Sequence, residues 1–107
     1  MSQIILDVPD AIAGLPEPER TRLIRGGLFE ATRTRVRQLK KEIAESKDHL
    51  QEFERRYGVV FVQFEDELLP SLDTLQAHED YNDWFFWQHL LAENERLLSE
   101  LHRAGFS

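Results

Sequence analysis

The sequence contains no cysteine, which excludes a disulfide framework and any thiolate metal site and leaves nothing that points to secretion. It also lacks a long apolar run. The opening MSQIILDVPD holds only three consecutive apolar residues and no basic flank, so no signal peptide is expected, and nothing approaches the roughly 20 apolar residues of a membrane span. Gly-rich phosphate loops, a nucleophile elbow and a His-Glu-x-x-His zinc element are absent too. These absences leave a cytoplasmic chain for which no membrane, cofactor, metal or small-molecule substrate is expected. At 107 residues and 41% hydrophobic it makes one domain or one elongated unit, marginal as an extended monomer and therefore suited to assembly.

Charge of both signs is plentiful, but it is segregated. The formal net charge is -7. Residues 1–19 carry four acids and no bases, residues 20–41 carry eight Lys/Arg against Glu30 alone, and residues 42–107 carry fifteen acids against five bases. Arg20, Arg22, Arg25, Arg33, Arg35 and Arg37, followed by Lys40 and Lys41, form a basic stretch of the kind that contacts DNA phosphates. The same stretch also reads as a solvated helix face that offsets acids elsewhere. The acidic remainder would repel nucleic acid.

Ile4, Ile5, Leu6 and Val8 before Pro9 read as a short strand, β-branched and closed by a residue that cannot extend a ladder. A lone strand is unstable, so it would have to pair with a second copy or a partner; the alternative is a frayed arm. Pro16-Glu17-Pro18-Glu19 then starts a helix, with acids near the positive end of its dipole. From Phe29 a heptad seam runs through Thr32, Val36, Leu39, Ile43, Ser46, Leu50, Phe53 and Tyr57 in steps of three and four. A helix over residues 17–57 would span about 60 Å at 1.5 Å per residue unless Gly26-Gly27 bends it, and Gly58 supplies its stop.

Trp84, Trp87, Leu91, Asn94, Leu98 and Leu101 form a second seam. If the chain turns back after Gly58, Tyr57 faces Trp84, Phe53 faces Trp87, Leu50 faces Leu91, Ser46 faces Asn94, Ile43 faces Leu98 and Leu39 faces Leu101. Each pair of position numbers sums to 140 or 141. A Ser46–Asn94 polar layer would penalise slipped registers. This register supplies no facing seam residue for Leu23, Ile24, Leu28 and Phe29, which, with Ile4, Ile5 and Leu6, would make residues 1–35 a dimerisation segment and residues 36–107 an acidic helical hairpin. Phe61, Phe64 and Leu68 suggest a short helix, ending before Pro70, that covers the aromatic end of the hairpin.

The run Trp84-Phe85-Phe86-Trp87 points four aromatics in four directions, so one core face cannot bury them all. With both tryptophans in the seam, Phe85 and Phe86 fall outside it. Beside Asp80 and Asp83 they make a candidate partner-binding surface, since aromatics dominate interface hot spots; burial under the connecting segment is the other reading. Catalytic signals are poor. His78, Glu79, Asp80 and Asp83 suit an acidic helix N-terminus without a metal. Arg96 and His102 match the spacing of the signature of small helical HEPN ribonucleases, but the two side chains point about 120° apart on one helix, and no catalytic residue is assigned.

The segments ILDVPDAI and LIRGGLFEA, followed by an acidic helical remainder, resemble the small bipartite antitoxins of prokaryotic toxin–antitoxin pairs. ERRYG and HEDYNDW in the hairpin look like those of small uncharacterised proteins coded beside toxin genes. The resemblance implies an N-terminal segment that dimerises and contacts operator DNA, and an acidic part that neutralises a basic toxin, commonly a ribonuclease. A coiled-coil adaptor without a nucleic-acid role fits the same residues. The fold expected is therefore mainly α: a short N-terminal strand, a long helix and an antiparallel coiled-coil-like hairpin, assembled as a homodimer.

Overall fold

A computed structural model of the protein describes residues 10–107. The expected strand over Ile4, Ile5, Leu6 and Val8 lies outside the described residues, and among those described the chain is helical with no strand. The elements are α1 (Asp10–Ala13), α2 (Glu17–Tyr57), α3 (Phe61–Gln63), a π-helical turn (Phe64–Leu68), α4 (Leu69–Leu72) and α5 (Leu75–Arg103). Two compact units divide between residues 34 and 35, and the residues of α2 fall in both.

In the first unit, α1 is a single turn whose exposed Ala13 carbonyl accepts a hydrogen bond from the Arg20 guanidinium at 3.2 Å. Pro16 precedes α2, and its carbonyl accepts from the Arg20 amide at 2.9 Å. Glu17 and Glu19 sit in the first turn, where unpaired amides favour negative charge. The helix continues through Gly26 and Gly27 without interruption. Leu23, Leu28 and Phe29 stay exposed, so the heptad pattern that begins at Phe29 does not yet mark a core. The Arg33 guanidinium lies 5.7 Å from the centre of the Phe29 ring.

In the second unit the pattern becomes a buried seam. Val36, Leu39, Ile43, Ser46, Leu50 and Phe53 are the buried residues of α2, each three or four positions from the last. The helix stops where expected. Gly58 takes a left-handed φ of 72° that a Cβ would strain, and its amide bonds the Glu54 carbonyl at 2.7 Å.

The connecting segment departs from the expectation that its helix ends before Pro70. At the π turn the Leu69 amide bonds the Phe64 carbonyl, five residues back. Pro70 then falls in the first turn of α4, where a missing N–H costs little. The segment ends at Asp73, in left-handed geometry. Thr74 opens α5, its hydroxyl accepting from the Ala77 amide at 3.1 Å.

α5 lies against the seam of α2, and Trp84 is the centre of the shared core with no exposed surface. Its ring centroid lies 5.4 Å from Phe53, 5.1 Å from Phe64, 5.6 Å from Phe61 and 6.0 Å from Tyr57. The connecting segment thus covers the aromatic end of the hairpin, as its spacing implied. Tyr57 meets Trp84 as expected. Trp84 is larger than one layer and takes Phe53 as well, while Trp87 stacks on His49 at 3.8 Å.

The expected Ser46–Asn94 pair needs correcting. Both residues are buried, but the Asn94 amide donates to Glu42 at 3.0 Å and the Ser46 hydroxyl has no partner among the described residues. The reason is reach: Glu42 extends two methylenes toward the seam, whereas a serine hydroxyl stops one bond beyond its Cβ.

Candidate partner-binding surface

Asp80 was expected on the surface beside Asp83; the structure buries it, with 3% of its area exposed. Its carboxylate accepts from the Tyr57 hydroxyl, from Gln76 at 2.9 Å and from the Arg56 guanidinium at 3.0 Å. Two helices are thereby tied together at the turn. Burial is the largest influence on this carboxyl and would raise its pKa, but the hydrogen bonds from Tyr57, Gln76 and Arg56 and the charge of Arg56 outweigh it and hold the pKa below the ordinary aspartate value. The Tyr57 phenol is pushed up to about 12 by burial, then by its bond to Asp80. A second tie runs from the Tyr81 hydroxyl to Glu65 of the π turn at 2.6 Å; this bond, then burial, raises the Tyr81 pKa. Asp80 is therefore a fold residue. Its signal was available in part, since Arg56 and Tyr57 end one helix and Asp80 begins the antiparallel one.

Phe85 and Phe86 remain open, 44% and 56% exposed. Phe85 leans on rings from two elements, with centroids 6.3 Å from Phe61, 6.0 Å from Tyr81 and 4.0 Å from His89. Among the described residues the one ring contact of Phe86 is with the edge of the Trp87 ring, at 5.1 Å. Covering by the connecting segment thus reaches one side of Phe85 and stops. Val60 and Val62 at the same end of the hairpin are exposed as well, and so is Asp83.

The charge along this part of the sequence has one sign, with Arg55 and Arg56 just before it at the end of α2. From residue 58 to residue 95 the sequence has nine acids and no Lys or Arg. Glu65 and Asp80 are used inside the fold, while Glu79 and Asp83 stay exposed on the helix that carries the phenylalanines. Charge of one sign acts at long range, and exposed rings act only in contact.

Of the expected dimerisation residues, Ile4, Ile5 and Leu6 lie outside the described residues. Leu23, Leu28 and Phe29 are exposed and Ile24 is half-buried. Four of the six arginines proposed for DNA make contacts on the chain: Arg20 bonds Ala13, Arg22 pairs with Glu19 at 3.6 Å, Arg33 with Glu30 at 3.9 Å and Arg35 with Glu42 at 3.9 Å. The three ion pairs are exposed and long, so each contributes little and a phosphate could displace them.

Arg96 is bound to Glu93 at 2.7 Å, whereas His102 lines a shallow groove of ≈ 310 Å³ with Ile43, Lys47, Glu95, Leu98 and Ser99. The groove brings the expected seam partners Ile43 and Leu98 together, but it collects no nucleophile and base in hydrogen-bond contact. Among the described residues no group of acids and histidines could hold a metal ion, and no helix is long and apolar enough to cross a membrane. No protein-family model, curated protein or solved structure matches the chain.

Proposed function

We propose that the chain is a non-catalytic binding protein whose acidic, aromatic hairpin end captures a basic protein, in the manner of an antitoxin holding its toxin. The observation that carries this reading is the exposure of Phe85 and Phe86 on α5, inside a segment of nine acids without a Lys or Arg. A cationic partner is steered to that end by charge, and the two rings then enter apolar pockets on it. Asp83 lies on the same helix as the rings and supplies a carboxylate at their edge. Asp80 has the different task of fixing α5 against the end of α2, so that the rings are presented from a rigid element.

The test is titration calorimetry against the product of the adjacent reading frame, using the double variant Phe85→Ala/Phe86→Ala. Removal of a pair of interface anchors weakens binding by about 2 kcal/mol or more, roughly thirtyfold. The variant keeps nearly the wild-type melting temperature. A variant that melts far earlier and still binds places the two rings in the core and ends the proposal.

A further inference from the structure

α2 and the hairpin end carry two stretches of opposite charge. Along residues 20–41 of the sequence, eight Lys/Arg stand against one acid, and Leu23, Leu28 and Phe29 on that stretch are exposed. Along residues 58–95, nine acids stand without a Lys or Arg, and Val60, Val62, Phe85 and Phe86 are exposed. Each stretch combines half-open apolar side chains with charge of a single dominant sign along the sequence. Pairing the basic stretch with its own copy sets like charge beside like, and the same holds for the acidic stretch; such juxtaposition disfavours the complex. Pairing unlike faces removes both penalties and covers both apolar sets.

We propose that a second copy of this chain docks its basic stretch, around Leu23, Leu28, Arg22 and Arg25, on the acidic aromatic end around Glu79, Asp83, Phe85 and Phe86. This moves the dimer contact from the N-terminal segment against itself to unlike faces of two copies. It uses the surface assigned above to a basic protein, and so adds regulation to that reading: in the free protein the surface is covered by a second copy, and an incoming basic partner must displace it. A basic partner and the basic stretch then compete for one site.

Charge reversal tests this directly, because Arg22, Arg25, Glu79 and Asp83 are all exposed and their replacement leaves the core untouched. One variant carries Arg22→Glu and Arg25→Glu, the other Glu79→Lys and Asp83→Lys. Sedimentation velocity on the wild type should show self-association that weakens with salt, since the screening length falls from about 10 Å at 0.1 M to about 3 Å at 1 M. Each variant alone should associate about tenfold or more weakly than the wild type. Mixed in equal amounts, the two variants should associate again, because each reversed face meets a reversed face and each native face a native one. Thermal melting by circular dichroism confirms that both variants are folded.

A monomeric wild type at low salt overturns the proposal, as does undiminished association of either variant alone or a mixture that stays apart. Failure here is separable from failure of the proposed function: a monomer that still captures the adjacent gene product removes the second copy and keeps the partner. A salt-sensitive assembly that captures nothing does the reverse.

Discussion

Replacing Asp80 by Ala should be the most damaging polar substitution in the hairpin, and the reason lies in what it leaves behind. The carboxylate accepts from Tyr57, Gln76 and Arg56, and only 3% of the residue is exposed. A hydrogen bond to a charged group contributes about 1.5 to 3 kcal/mol, and an orphaned buried donor costs about 1 to 3 kcal/mol. The Arg56 side chain is 46% exposed and recovers water once freed, so its share falls to the roughly 0 to 1 kcal/mol of a surface pair. The Tyr57 hydroxyl is half-buried and does not recover fully. Together these give a loss of about 2 to 4 kcal/mol for Asp80→Ala. In a domain of this size that lowers the melting temperature by roughly 10 °C or more. Urea unfolding followed by tryptophan fluorescence is the suitable assay, because both tryptophans, Trp84 and Trp87, lie in the hairpin. Tyr57→Phe measured alone and with Asp80→Ala completes a double-mutant cycle, and the pair should be strongly non-additive. A single variant within about 0.5 kcal/mol of wild type, or an additive cycle, would refute the reasoning.

The same contact gives the stability curve two edges. Asp80 has a lowered pKa in the folded state, so its contribution is complete above the unfolded value and is lost as pH falls through the folded one; wild type should lose stability below about pH 4 more steeply than Asp80→Asn. Tyr57 is raised to about 12, so its contribution is complete below the unfolded tyrosine value near 10 and fades as pH rises through the folded one. Ser46→Ala should be neutral or stabilising in the urea assay, because it removes a buried hydroxyl without a partner among the described residues. Trp84→Ala, which empties the centre of the core, should cost about 3 to 5 kcal/mol or unfold the chain. Gly26→Ala and Gly27→Ala should each add about 0.5 to 1 kcal/mol of stability by calorimetry, since a Cβ there meets nothing within 4 Å and alanine is the better helix former.

Much of the backbone was legible because helices are local. The three-four spacing of Val36, Leu39, Ile43, Ser46, Leu50 and Phe53 forces these residues onto one side of any helix, and that side is the buried one. Gly58 announced the end of α2 because a left-handed residue excludes most side chains, whereas the start of α5 at Thr74, whose hydroxyl caps the Ala77 amide, was not read from the sequence. Phe29 and Thr32 share the seam spacing yet lead to no buried core residue before Val36. Spacing tells which side of a helix is apolar; it does not supply the neighbour that covers it.

Tertiary structure decided the rest through distances that no local pattern contains. Whether Asn94 meets Ser46 or Glu42 depends on how far each side chain reaches across the gap between two helices, and the longer Glu42 prevailed. Asp80 looked like one more acid at a helix N-terminus, but packing set it opposite Tyr57 and Arg56 and took it out of water. Phe85 and Phe86 are adjacent and chemically identical. Only the placement of Phe61 and Tyr81 gives the first a partial cover, while the second, one residue further round the helix, stays open because the connecting segment covers one side of α5 and not the next.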